Sequence, residues 1–152
     1  MSFPMKSNIL QRGVTLLEVL IFITILSFVF IGVAITTTSS LQRTQYNQHK
    51  ILATHYAEEL EEWMRGEKEA DWTSFVNKSA ALPGRIYCFN STTIAWPSVG
   101  NCSGVYGLVN TFKREATLSG TGSQITVNIN IEWQEASNLF SIPIDTVFSQ
   151  WD

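Results

Sequence analysis

From Leu16 to Ile35 the chain is apolar almost without a break: fifteen of these twenty residues are Val, Ile, Leu or Phe, and only Glu18, Thr24, Ser27 and Gly32 carry polarity or lack a side chain. A helix of that length covers roughly 30 Å at about 1.5 Å per residue, the thickness of a hydrocarbon core. Strongly apolar residues contribute about −0.3 to −0.6 kcal/mol each, whereas a carboxylate costs roughly 2.5–3.5 kcal/mol only at the membrane centre. Insertion therefore wins with Glu18 included, and the segment is predicted to span a membrane.

The helical pattern resumes beyond the span. Leu52, Tyr56, Leu60 and Trp63 recur at helical spacing, with Ala53, Ala57 and Met64 beside them. This predicts one helix from about Thr15 to Arg65, roughly 75 Å long, ending at Gly66. Its weak point is Thr36 to Ser40, five hydroxyl-bearing residues of poor helix propensity just after Gly32. No proline interrupts the chain between Pro4 and Pro83. Glu58, Glu59, Glu61 and Glu62 read as a solvated face.

The period then changes from 3.6 to 2. Ile125, Val127, Ile129, Ile131 and Trp133 alternate with Thr126, Asn128, Asn130 and Glu132, the pattern of a strand with one buried face. Gly107 to Leu118 is predicted to pair with it through the Ser119-Gly120-Thr121-Gly122 turn. Arg85 to Phe89 and Phe140 to Phe148 are shorter candidates, the second confined to an edge by Pro143. Asn90 to Gly104 reads as loop. The fold class is α+β: one long N-terminal α-helix, membrane-spanning in its first half, packed on a small antiparallel β-sheet.

Composition narrows the function. The chain has 152 residues and a formal charge of −3, so nonspecific nucleic-acid binding, which needs clustered positive charge, is not predicted. There is no glycine-rich phosphate loop, no nucleophile elbow, and no histidine in the sheet-forming part to serve as a base. His49 and His55 lie on the helix, away from Cys88 and Cys102, so neither a metal site nor any other cofactor is expected, and no catalytic residue is proposed. The five tryptophans are expected to fill core or subunit contacts.

The start of the apolar run carries the strongest functional signal. Met1 to Gly13 is a short segment with Lys6 and Arg12, no acid and a Pro4, followed directly by Gly13-Val14-Thr15-Leu16-Leu17-Glu18-Val19-Leu20. One reading of Thr15 and Glu18 is a capping box at the helix start, with the carboxylate at the positive end of the helix dipole. That leaves the glycine and the basic leader unexplained. A secretory signal peptide cut near Gly32-Val33-Ala34 fits less well, because the apolar stretch exceeds the usual 7 to 15 residues and an acid interrupts it.

The string from Gly13 to Leu20 resembles the class III signal of prepilins and pseudopilins. The resemblance implies cleavage by a prepilin peptidase after Gly13, N-methylation of Val14, and a role for Glu18, then the fifth residue, in assembly. The family most often places Phe or Met where this chain has Val14. Physically, cleavage would create an α-amine with a reference pKa near 8, charged at neutral pH. When helices stack with an axial stagger, the amine of one subunit can meet Glu18 of its neighbour, which fixes register more than it adds stability.

The same resemblance implies a leader at 1–13, a membrane and filament-core helix at 14–35, a soluble helical half at 36–66 and a globular sheet domain at 67–152. It also implies an inner (cytoplasmic) membrane location with the C-terminal domain outside, then incorporation into a pilus or pseudopilus. The expected partners are prepilin peptidase, other pilin or pseudopilin subunits, the inner-membrane assembly platform, and membrane lipid before extraction. Gln124 to Asp152, a terminal strand followed by Trp151, is similar to the I-type minor pseudopilins and V-type minor pilins, and points to a minor subunit. Loss of the leader leaves eight basic residues against thirteen acidic.

Given export, Cys88 and Cys102 are expected to form a disulfide closing a loop, worth about 3 kcal/mol; two buried thiols are the alternative. A second functional class stays open, a bitopic membrane-anchored binding module that is neither processed nor polymerised.

Overall fold

The computed structural model describes residues 9–104, 106–135 and 137–151, with side chains from Thr15 onward. The order of elements is α1 (Ile9–Ala70), α2 (Trp72–Val76), β1 (Arg85–Cys88), β2 (Phe112–Ser119), β3 (Gln124–Glu135) and β4 (Asn138–Ser149). The four strands form one antiparallel sheet in the order β1-β2-β3-β4, and the α+β class read from the sequence holds. The chain divides into two units, Met1–Gln45 and Tyr46–Asp152.

α1 extends past both of its expected ends. It begins at Ile9, so Thr15 stands inside the helix and not at its start. At the other end it runs through Gly66 to Ala70. A helical glycine costs about 1 kcal/mol, and here the following turn gains more from tertiary contacts. Glu67 accepts a 2.7 Å hydrogen bond from Trp96 Nε1, and Lys68 is buried with its ammonium 6.0 Å from the Phe148 ring. The stop comes at Asp71, which caps α2 by accepting from Ser74 N at 3.1 Å and Ser74 Oγ at 2.6 Å. Those bonds lower the Asp71 pKa.

The hydroxyl-rich turn from Thr36 to Ser39 is helical, and its side chains bond to the helix itself. Thr36 donates to Val33 O, Thr37 to Val33 O, Thr38 to Ala34 O and Ser39 to Thr36 O. Each hydroxyl finds its acceptor three or four residues back, an arrangement that does not require water.

β3 carries the expected stripe. Ile125, Val127, Ile129 and Ile131 are fully buried and Trp133 nearly so. α1 covers this face with Ala53, Ala57, Leu60 and Met64, all fully buried. The stripe is rotated from the expected one: Leu52 is exposed, and Tyr56 and Trp63 are only partly buried at its margin. Ala53 and Ala57 turn small side chains to the core, while the rings of Tyr56 and Trp63 lie beside them on Phe112 and Phe89.

β2 starts at Phe112 rather than Gly107. Leu108 and Phe112 exchange backbone hydrogen bonds around a tight turn in which Val109 and Asn110 have φ of 53° and 56°. Asparagine favours that conformation but valine seldom adopts it, so the sequence gives only half of a turn signal there. The β2–β3 turn does fall where its glycines predict. A Cβ on Gly120, whose φ is 127°, would lie 2.6 Å from Gln124 O. β4 is an edge strand, with Pro143 opposite Asn130.

Candidate functional site

Among the described residues one helix is long and apolar enough to cross a membrane. Every described side chain from Thr15 to Gln45 is exposed, including Phe22, Phe28, Phe30 and the aliphatic residues between them. Polar groups inside the apolar run are satisfied locally, with Thr24 Oγ1 donating to Ile21 O at 2.7 Å and Ser27 Oγ to Ile23 O at 2.8 Å. These hydroxyls therefore place no unsatisfied donor in a hydrocarbon environment. Glu18 differs. It is exposed and has no ion-pair partner among the described residues. A carboxylate within a long uncovered apolar surface is the group there that most needs an external partner.

Gly13 and Val14 lie on α1, but their surroundings, like those of Arg12, lie outside the described side chains; Pro4 and Lys6 lie outside the described residues altogether. Gly32 has open space where a Cβ would sit, so the chain's own packing does not require a glycine there.

In the unit Tyr46–Asp152, Cys88 and Cys102 form a disulfide with Cα atoms 4.9 Å apart. It joins the end of β1 to the loop that carries Trp96. That ring packs against Trp63 of α1 at 5.2 Å and against Tyr87 at 5.3 Å. Trp63, Trp72, Trp96 and Trp133 belong to the core or its margin, while Trp151 is exposed.

Arg114 on β2 is fully buried. Its guanidinium donates to Tyr56 O and Glu59 Oε2, both at 3.0 Å, and to Phe89 O and Ser91 O, both at 3.1 Å. Burial lowers its pKa, and Glu59 opposes that shift. Glu59 is thus an ion-pair partner and not only part of a solvated face, which corrects the sequence reading. Glu61 and Glu62 pair within the helix with Arg65. The signal that could have found Arg114 is parity: it shares the inward side of β2 with Phe112, Ala116 and Leu118, and a charge among such residues requires acceptors.

His49 and His55 have separate surroundings. His49 Nδ1 lies 2.7 Å from Glu135 Oε1, which also accepts from Trp133 Nε1 at 2.9 Å. The His55 ring lies beside Tyr56. On the outer sheet face Lys113 Nζ meets Glu132 Oε1 at 2.6 Å, and Tyr106 donates to the same oxygen at 3.3 Å. The bond to Glu132 raises the Lys113 pKa; burial, with the Glu132 charge, raises that of Tyr106.

No family model matches the chain, and no curated protein or solved structure matches it either.

Proposed function

We propose that the chain is a structural subunit, of the minor pilin or pseudopilin kind, in a type IV pilus-like or type II secretion filament. The observation that carries this reading is the uncovered apolar surface of α1 from Leu16 to Ile35, with the single carboxylate Glu18 near its start. In this reading a prepilin peptidase cuts after Gly13 and methylates Val14. The new N-terminus then places Glu18 in the first turn, where it faces the amine of a neighbouring subunit. Lipid covers the helix in the inner membrane, with the sheet domain outside. The assembly platform extracts the subunit, and the helices of other subunits replace the lipid.

Both environments satisfy the same physical need, since about 25 cal/mol per Å² of exposed apolar surface favours any cover over water. Glu18 distinguishes a filament subunit from a passive anchor. A subunit is expected to lose incorporation into filaments when Glu18→Ala leaves the amine unpaired, while its level in the membrane stays near that of the parent chain. Absence of the parent chain from purified filaments sinks the proposal and favours the bitopic binding module, and equal incorporation of the Glu18→Ala chain overturns the assembly role given to Glu18.

A further inference from the structure

We infer that the Cys88–Cys102 disulfide acts through Arg114 as a redox latch on α1, so that the oxidised chain alone holds residues 53–64 firmly on the sheet. The acceptors of the buried guanidinium are split between two elements. Tyr56 O and Glu59 Oε2 belong to α1, whereas Phe89 O and Ser91 O belong to the loop that the disulfide closes. The main chain of Arg114 is tied to that loop as well. Its N–H donates to Asn90 Oδ1 at 3.1 Å, and its carbonyl accepts from Phe89 N at 2.8 Å.

One cation is therefore shared between helix and loop, and neither can move away without leaving buried N–H groups short of acceptors. An incompletely paired buried charge is strongly unfavourable, so disorder in the loop is passed to the helix. The loop's second anchor leads to the same element: Trp96 packs on Trp63 and donates to Glu67, both on α1. Cross-linking residues 88 and 102 restricts the freedom of the segment that carries all of these contacts.

The bond opens by thiol–disulfide exchange with a dithiol such as dithiothreitol. The reductant's two thiols become a disulfide, and two electrons and two protons pass to the Sγ atoms of Cys88 and Cys102. A chain in a reducing compartment then has a loosened α1, and oxidation after export closes the latch. The contacts involved all lie within Tyr46–Asp152 and do not depend on filament assembly.

The test is amide hydrogen exchange on the full chain in detergent micelles, with and without dithiothreitol. Reduction is expected to speed exchange at residues 53–64 by about tenfold or more, while residues 127–131 of β3 change by less than about threefold, the pattern of a local opening. In Arg114→Met, which removes the shared cation, the extra sensitivity of 53–64 disappears. If that variant does not fold, Glu59→Gln serves instead: it keeps an acceptor but loses the counter-charge, weakens the link from Arg114 to α1 and should narrow the difference between oxidised and reduced chains. Acceleration equal in α1 and β3, no acceleration in α1, or an unchanged difference in Glu59→Gln overturns the inference.

Discussion

Arg114 and Glu59 meet at 3.0 Å in opposite surroundings, the guanidinium fully buried on β2 and the carboxylate open to solvent on α1. The asymmetry decides what each contributes. Glu59 gains little from the pair, as exposed carboxylates generally do. Arg114 depends on it more, because its guanidinium is fully buried and Glu59 carries the counter-charge.

Glu59→Ala is therefore expected to destabilise the oxidised protein by about 1–3 kcal/mol, the range for leaving a buried donor short of its acceptor. Glu62→Ala, which removes a surface i,i+3 partner of Arg65, should change stability by less than about 0.5 kcal/mol. Urea unfolding of the two variants gives the comparison, and equal effects would show that Arg114 does not rely on Glu59.

The glycines at 66 and 120 should respond to alanine with opposite signs. Gly66 is helical with open space at its Cβ position, so Gly66→Ala should stabilise by about 1 kcal/mol. Gly120→Ala would strain a positive φ and press a Cβ against Gln124 O, for a loss of more than about 1 kcal/mol. Thermal melts of both variants settle the point.

Stability is expected to fall in alkali. The folded state raises Lys113 above its ordinary value of 10.5 and Tyr106 above 10.0. Each group therefore holds its proton more tightly when folded, and its contribution is complete below the ordinary value and lost as pH rises through the raised one. Glu132→Gln weakens the cause of the Lys113 shift, so its melting temperature should decline less steeply above pH 10. An identical alkaline slope in both proteins would rule out the Lys113–Glu132 pair as the source.

Much of the fold was legible because two periodicities carried it. The alternation from Ile125 to Trp133 gave β3 its inward face, and the unbroken run from Leu16 to Ile35 gave the membrane-length helix. Features hidden from the sequence depend on contacts made at a distance. α1 passes Gly66 because Trp96, thirty residues later in the chain, bonds to Glu67. The turn at Val109-Asn110 closes on the pairing of Leu108 with Phe112 and puts a valine beside the turn-forming Asn110 at positive φ, a position its sequence does not announce. The five-residue α2 is too short to show a period and is marked only by the Asp71 cap. At the candidate site, Glu18 could be picked out because a charge contrasts with an apolar run. Arg114 itself is marked by its inward parity on β2, but its network is not, since three of its acceptors are backbone carbonyls on other elements, and any residue type can supply those.

Processing between Gly13 and Val14 is read out by intact mass spectrometry of the protein recovered from the membrane. A filament subunit is expected to begin at Val14 with a methylated amine and to retain 139 of the 152 residues. An exported protein that still begins at Met1 is not a processed filament subunit.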